Sequence, residues 1–156
     1  MRTRKMYLTV CCLGLICLSI LVGEASATLG GSVDTVEKDR LALAAHQRTV
    51  TSHAGFTVHE IQSGSVTVRE YVSPSGIVFG LGWDGLIHPD LTKLLGTYAG
   101  DYENALKLKR RVHGRRRFQV RTDQVVVEKW GHMRNLQGRA YVPALFPPGV
   151  SSDDVR

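Results

Sequence analysis

The chain has 156 residues, with 20 basic and 14 acidic side chains, a formal net charge of +6, and three cysteines, Cys11, Cys12 and Cys17. All three cysteines lie inside one apolar run near the start, so residues 28–156 have no thiol for a disulfide or a soft metal ion. That part must be stabilised by packing, and its 129 residues match one domain that buries a core without staples.

Arg2, Arg4 and Lys5 precede an uncharged run from Met6 to Gly23, followed by Glu24 and the small-residue triplet Ala25-Ser26-Ala27. This is the layout of a secretory signal peptide, residues 1–27, with cleavage expected after Ala27. The run is also close to the shortest helix that spans a bilayer, and the triplet decides for cleavage over a retained anchor. Bulky Val and Ile flank the cysteines, which argues against lipid attachment. The expected location is the periplasm or the exterior, with no stable membrane span after cleavage. Without its first 27 residues the chain has 17 basic and 13 acidic residues. Lys107, Lys109, Arg110, Arg111, Arg115, Arg116 and Arg117 come with no acid among them, so the positive charge is a patch and the remainder is acidic.

After a short linker, Thr28 to Val33, Asp34 and Glu37 form a capping box opening a helix to about Arg48 with a thin apolar stripe. Three runs rich in Val, Ile, Phe and Tyr follow, Phe56 to Gln62, Ser65 to Ser73 and Gly76 to Trp83, and predict an antiparallel meander. A two-residue turn at Ser63-Gly64 sets Ile61 against Val66 and His59 against Val68. A four-residue loop from Ser73 to Gly76 sets Val72 against Ile77 and Val66 against Trp83. One face then holds His59, Ile61, Val66, Val68, Val72, Ile77, Phe79, Leu81 and Trp83, with Glu70 among them. Pro89 and Gly96 bracket a short helix, Pro89 to Leu95. A second helix, about Asp101 to Val112, turns Tyr102, Ala105, Leu106 and Val112 to one side and ends at Gly114. Arg116 to Arg121 and Gln124 to Trp130 predict two more strands around Thr122-Asp123, and an extended tail starts at about Pro143.

Gly80, Gly82 and Gly85 satisfy the spacing G-x-G-x-x-G, but dinucleotide binding needs a helix opening directly on the glycines within a parallel unit. Here Ile87-His88-Pro89 intervenes after antiparallel strands, so Gly80 and Gly82 mark places where something packs close to the backbone. His59-Glu60 begins like a zinc-protease motif, yet position 63 is Ser63, not histidine. The six histidines are dispersed, and no metal or cofactor is expected. His59 and Glu70 lie diagonally on one predicted face, near enough to act as an acid and base pair, although a structural pair is the commoner arrangement. The basic patch suits anionic envelope polymers or lipid headgroups, or equally the end of a helix dipole and a charged strand edge.

Taken in order, Leu29-Gly30-Gly31, Thr57-Val58-His59-Glu60-Ile61, Val68-Arg69-Glu70-Tyr71-Val72-Ser73-Pro74, Trp83 with Gly85, Pro89-Asp90-Leu91, Leu94-Leu95-Gly96 and Gly138-Arg139-Ala140-Tyr141-Val142-Pro143 form a recognisable series. On these motifs the chain resembles the bacterial exported family called domain of unknown function 2844. The resemblance spans nearly all of the sequence after the signal and is weakest over Lys107 to Arg121. It implies an exported bacterial protein of this size and carries no activity or catalytic residue with it.

The expected architecture is α+β: an antiparallel sheet, a three-stranded meander plus two further strands, with helices packed on one face. The expected function is a periplasmic or envelope binding or accessory module without catalysis, partnered by an envelope protein or anionic polymer rather than nucleic acid. Two alternatives stand beside it. One is an electrostatic binder of anionic polymers through Lys107, Lys109, Arg110, Arg111, Arg115, Arg116 and Arg117. The other is an envelope enzyme using His59 and Glu70.

Overall fold

The computed structural model describes residues 29–33, 47–109 and 117–156. The expected signal peptide, the predicted helix up to residue 46, and Arg110, Arg111, Arg115 and Arg116 lie outside those residues. Seven strands form one antiparallel sheet: β1 (Gln47–His53), β2 (Phe56–Ser63), β3 (Val66–Val72), β4 (Val78–Gly85), β5 (Arg117–Arg121), β6 (Val126–His132) and β7 (Asn135–Tyr141). Their order is β1-β2-β3-β4-β7-β6-β5. After β4 the chain leaves the sheet through helices α1 (Leu91–Leu95) and α2 (Ala99–Leu108), separated by a 3-10 turn, Gly96–Tyr98. It re-enters at the far edge as β5 and returns through two hairpins until β7 pairs with β4. The α+β class and the helices on one face agree with expectation.

Two strands were not expected. β1 occupies Gln47 and Arg48, where the predicted helix was to end, and it is an edge strand whose residues 49–53 are all exposed. An edge strand with five successive exposed residues lacks the apolar alternation that marks a strand in sequence. β7 contains Gly138, a poor strand former by propensity. It is there because the ring of Trp83 lies on it: a Cβ at Gly138 would stand 2.2 Å from the Trp83 ring and 2.6 Å from the Glu128 carbonyl oxygen.

The β2–β3 turn is Gly64-Ser65, not Ser63-Gly64, because Ser63 pairs with Val66 as the last residue of its strand. Moving a two-residue turn along by one changes every pairing by two residues and therefore keeps each side chain on its face. His59 accordingly stands directly opposite Glu70, and Ile61 opposite Val68. The β3–β4 pairing shifts in the same way, with Val68 opposite Trp83, but it also contains a bulge. Tyr71 pairs with Gly80 and Val72 with Val78, leaving Phe79 as the extra residue. The bulge turns Val78 towards the helices and Phe79 to the opposite face, while Ile77 is only half-buried. Phe79 and Ile77 therefore do not belong to the face predicted for them.

The main core lies between the sheet and the helices. Ile61, Val66, Val68, Val72, Val78, Leu81, Trp83, Val120, Val125, Val127, Ala140 and Val142 meet Leu91, Leu94, Leu95, Ala99 and Tyr102 there. Asp90 caps α1 by accepting a hydrogen bond from the Thr92 amide at 3.1 Å, so the helix opens two residues after Pro89. The α2 helix begins at Ala99, two residues before the predicted start, and its Ala105 and Leu106 pack at the margin of the core. The predicted linker is built into the fold. Leu29 is 1% exposed, its amide donates to the Leu94 carbonyl (3.0 Å), and the Gly30 amide donates to the Val78 carbonyl (2.7 Å).

A second cluster, Val58, Tyr71, Phe79 and Val155, lies on the outer face with Phe56, Leu145, Phe146 and Val150 around it. It exists because the tail is not extended. From a 3-10 turn at Pro143–Leu145 the chain passes through short turns and lies across β7, β4 and β3.

Candidate functional site

The outer face of β1, β2 and β3 bears a groove of about 330 Å³. Strand alternation supplies its walls: Thr49, Thr51 and His53 from β1, Val58 and Glu60 from β2, and Arg69 and Tyr71 from β3. Phe56 closes one part, and Asp154 and Arg156 of the terminal segment close another. His53 stacks on Phe56, with ring centroids 4.9 Å apart and planes inclined by 14°.

Arg69 ties three strands together, its Nε donating to Glu60 Oε2 at 2.9 Å and its Nη1 reaching Asp84 Oδ1 at 2.6 Å. Burial works against its charge, but the hydrogen bond and charge of Asp84 and the charge of Glu60 outweigh that and hold the guanidinium pKa above its ordinary value. Tyr71 anchors the terminal segment. Its hydroxyl donates to the Arg156 carbonyl at 2.6 Å and accepts from the Arg156 amide at 2.9 Å. Burial pushes the phenol pKa up, against the lowering by that backbone bond and by Arg69 and Arg156.

Arg139 holds the same segment further along. Its Nε donates to Glu128 Oε2 at 2.5 Å, and its Nη1 donates to the Ser152 carbonyl. Gly80 and Gly82 provide the bed, since a Cβ at Gly80 would meet Val155 Cγ2 at 2.9 Å and one at Gly82 the Arg156 carbonyl oxygen at 2.3 Å. The sequence reading of these glycines as points of close approach is explained: the chain's own terminal residues approach them.

The sequence-derived candidates lie elsewhere. His59 and Glu70 face each other across β2 and β3, are 6% and 1% exposed, and are both engaged with partners. Neither lines the groove. Of the basic patch, Lys107, Lys109 and Arg117 are exposed, and Lys109 Nζ stands 5.1 Å from the centre of the Phe118 ring. Among the described residues, no three His, Cys, Asp or Glu side chains come together as metal ligands, and no helix is long and apolar enough to cross a membrane.

The family model described as protein of unknown function, DUF2844, matches residues 25–155. The chain belongs to that family. No curated protein and no solved structure matches it. In this DUF2844 protein the groove residues Val58, Glu60, Arg69 and Tyr71 are the outward-facing partners of His59 and Glu70 within the same two strand motifs. They escape sequence reasoning because the earlier register sets Glu60 against Thr67. Glu60 in fact stands opposite Arg69, a cross-strand charge pair that the correct turn makes legible.

Proposed function

We propose that this DUF2844 protein is an exported bacterial binding module of the cell envelope, which receives a segment of a partner protein in the groove and performs no reaction on it. The observation that carries this reading is the combination of an open, mixed polar and aromatic groove with polar groups already committed to structure. Arg69 is held between two carboxylates, and the Tyr71 phenol is bonded to backbone with its proton held more tightly than usual. What remains to an incoming chain is recognition chemistry: the hydroxyls of Thr49 and Thr51, the edge of Glu60, and the stacked His53 and Phe56 rings. A volume of about 330 Å³ suits one or two side chains of an extended segment. Export rests on the basic, apolar and small-residue layout of residues 1–27.

The test is capture from envelope extract at high salt with the wild-type chain and with Thr51→Trp. This substitution fills the groove from an exposed strand position where an aromatic residue is well tolerated. A protein held by the wild type and lost from Thr51→Trp is the expected result. Equal retention by both overturns the groove as the binding site. Intact mass of the protein recovered from the envelope fraction is expected to show loss of the first 27 residues, and an uncut chain overturns the cleavage.

A further inference from the structure

Among the described residues five large apolar side chains stand well exposed, and four of them, Leu86 (55%), Ile87 (52%), Leu108 (88%) and Met133 (90%), gather at one end of the sheet. The pairing puts them there. Gly85, at the end of β4, pairs with Leu136, which pairs in turn with Gly131, so Leu86-Ile87 and the β6–β7 turn bearing Met133 leave neighbouring strands on the same side. Arg117 opens β5 opposite Trp130 at that end, and the contact of Lys109 with Phe118 brings the close of α2, with Leu108, to it. Four adjacent strands span about 14 Å.

The charges at this end are of one sign. Lys107, Lys109, Arg117 and Arg134 are all exposed, and residues 85–88, 107–109, 117–119 and 131–136 contain no carboxylate. Asp84, the nearest one along β4, is tied to Arg69 at 2.6 Å.

We propose that this end of the sheet is a docking surface for an anionic lipid bilayer, with Leu86, Ile87, Leu108 and Met133 entering the headgroup region and the four cations meeting lipid phosphates. The apolar groups are carried on three separate protrusions, a loop, a helix end and a hairpin turn, rather than on one flat patch. A fluid interface closes around separate protrusions, whereas a folded partner must match them in shape. A purely anionic polymer leaves the apolar tips without a role. The surface is distinct from the groove on β1, β2 and β3, so its failure leaves the binding-module reading untouched.

The experiment uses the full chain with Met133→Trp as a local reporter, titrated with vesicles of brominated phosphatidylglycerol and, separately, brominated phosphatidylcholine. Trp83 and Trp130 supply a background that the wild-type chain measures. Every variant keeps the apolar run near the N-terminus, so it is the loss of signal on substituting the surface residues that assigns the quenching to this surface. Expected is a blue shift and quenching with phosphatidylglycerol and little of either with phosphatidylcholine. Leu86→Ser and Ile87→Ser should each weaken docking about fivefold. Lys107→Gln, Lys109→Gln, Arg117→Gln and Arg134→Gln should each do so about fivefold at low salt. Absence of quenching, equal quenching by both lipids, or quenching that responds to the charges but not to the serine substitutions overturns the proposal.

Discussion

His88 shows how one side chain acquires a pH dependence from its packing. The Trp83 indole donates to His88 Nδ1 at 2.9 Å, which requires that nitrogen to be unprotonated. Burial, and after it the charge of Lys129, lowers the His88 pKa. A base whose pKa is lower in the folded state takes up its proton more readily when unfolded, so stability rises with pH across the interval between the two values. The contribution is complete above the ordinary histidine value of about 6.5 and is lost as the pH falls below it towards the folded-state value. Urea denaturation between about pH 7 and 5 should therefore show a decline that His88→Gln, which keeps an acceptor for Trp83 but cannot titrate, makes shallower. Identical slopes in both proteins would place the dependence elsewhere.

Among the elements, β4 shows where strand patterning succeeds and where it fails. Leu81 and Trp83 alternate as a half-buried strand should, and both lie in the core as expected. The alternation breaks at Phe79 because a bulge shifts parity by one residue, and a bulge depends on the geometry of both strands, which the residues of one strand do not encode. The consequence is measurable. Phe79, 0% exposed and in contact with the Phe146 ring at a centroid distance of 5.2 Å, should cost about 3–5 kcal/mol on replacement by alanine. Ile77, which continues the predicted core face equally well in sequence, is half-buried and should cost less than about 2 kcal/mol. Chemical denaturation of the two variants decides between the bulged and the regular strand; equal losses would favour the regular one. Helix α1 was more legible than the strands, since Pro89, Asp90 and Gly96 act locally and the apolar spacing of Leu91, Leu94 and Leu95 needs no register.

The terminal segment joins these levels, because it covers one part of the outer face and walls the groove on another. Its seat has three components: the absence of side chains at Gly80 and Gly82, the Tyr71 hydroxyl bonded twice to Arg156, and Arg139 reaching Ser152. Gly82→Ala places a methyl group where the Arg156 carbonyl stands. It should destabilise the protein by about 1–3 kcal/mol and make residues 147–156 cleavable by a nonspecific protease, while the helix face stays protected. Unchanged stability and cleavage would show that the segment does not depend on this bed. The sequence by itself determined what local chemistry controls: the antiparallel pattern, both ends of α1 and the start of α2 to within two residues, the face on which His59, Ile61, Glu70 and Val68 lie, and the glycines that admit close contact. The expected end of the second helix at about Val112 was four residues too far, since α2 closes at Leu108. Only the tertiary structure decided the bulge at Phe79, the strands at the exposed edge and beside Trp83, and what fills the space over Gly80 and Gly82. Each of these depends on contacts between residues far apart in the chain, and the groove exists only where the last residues return to β3.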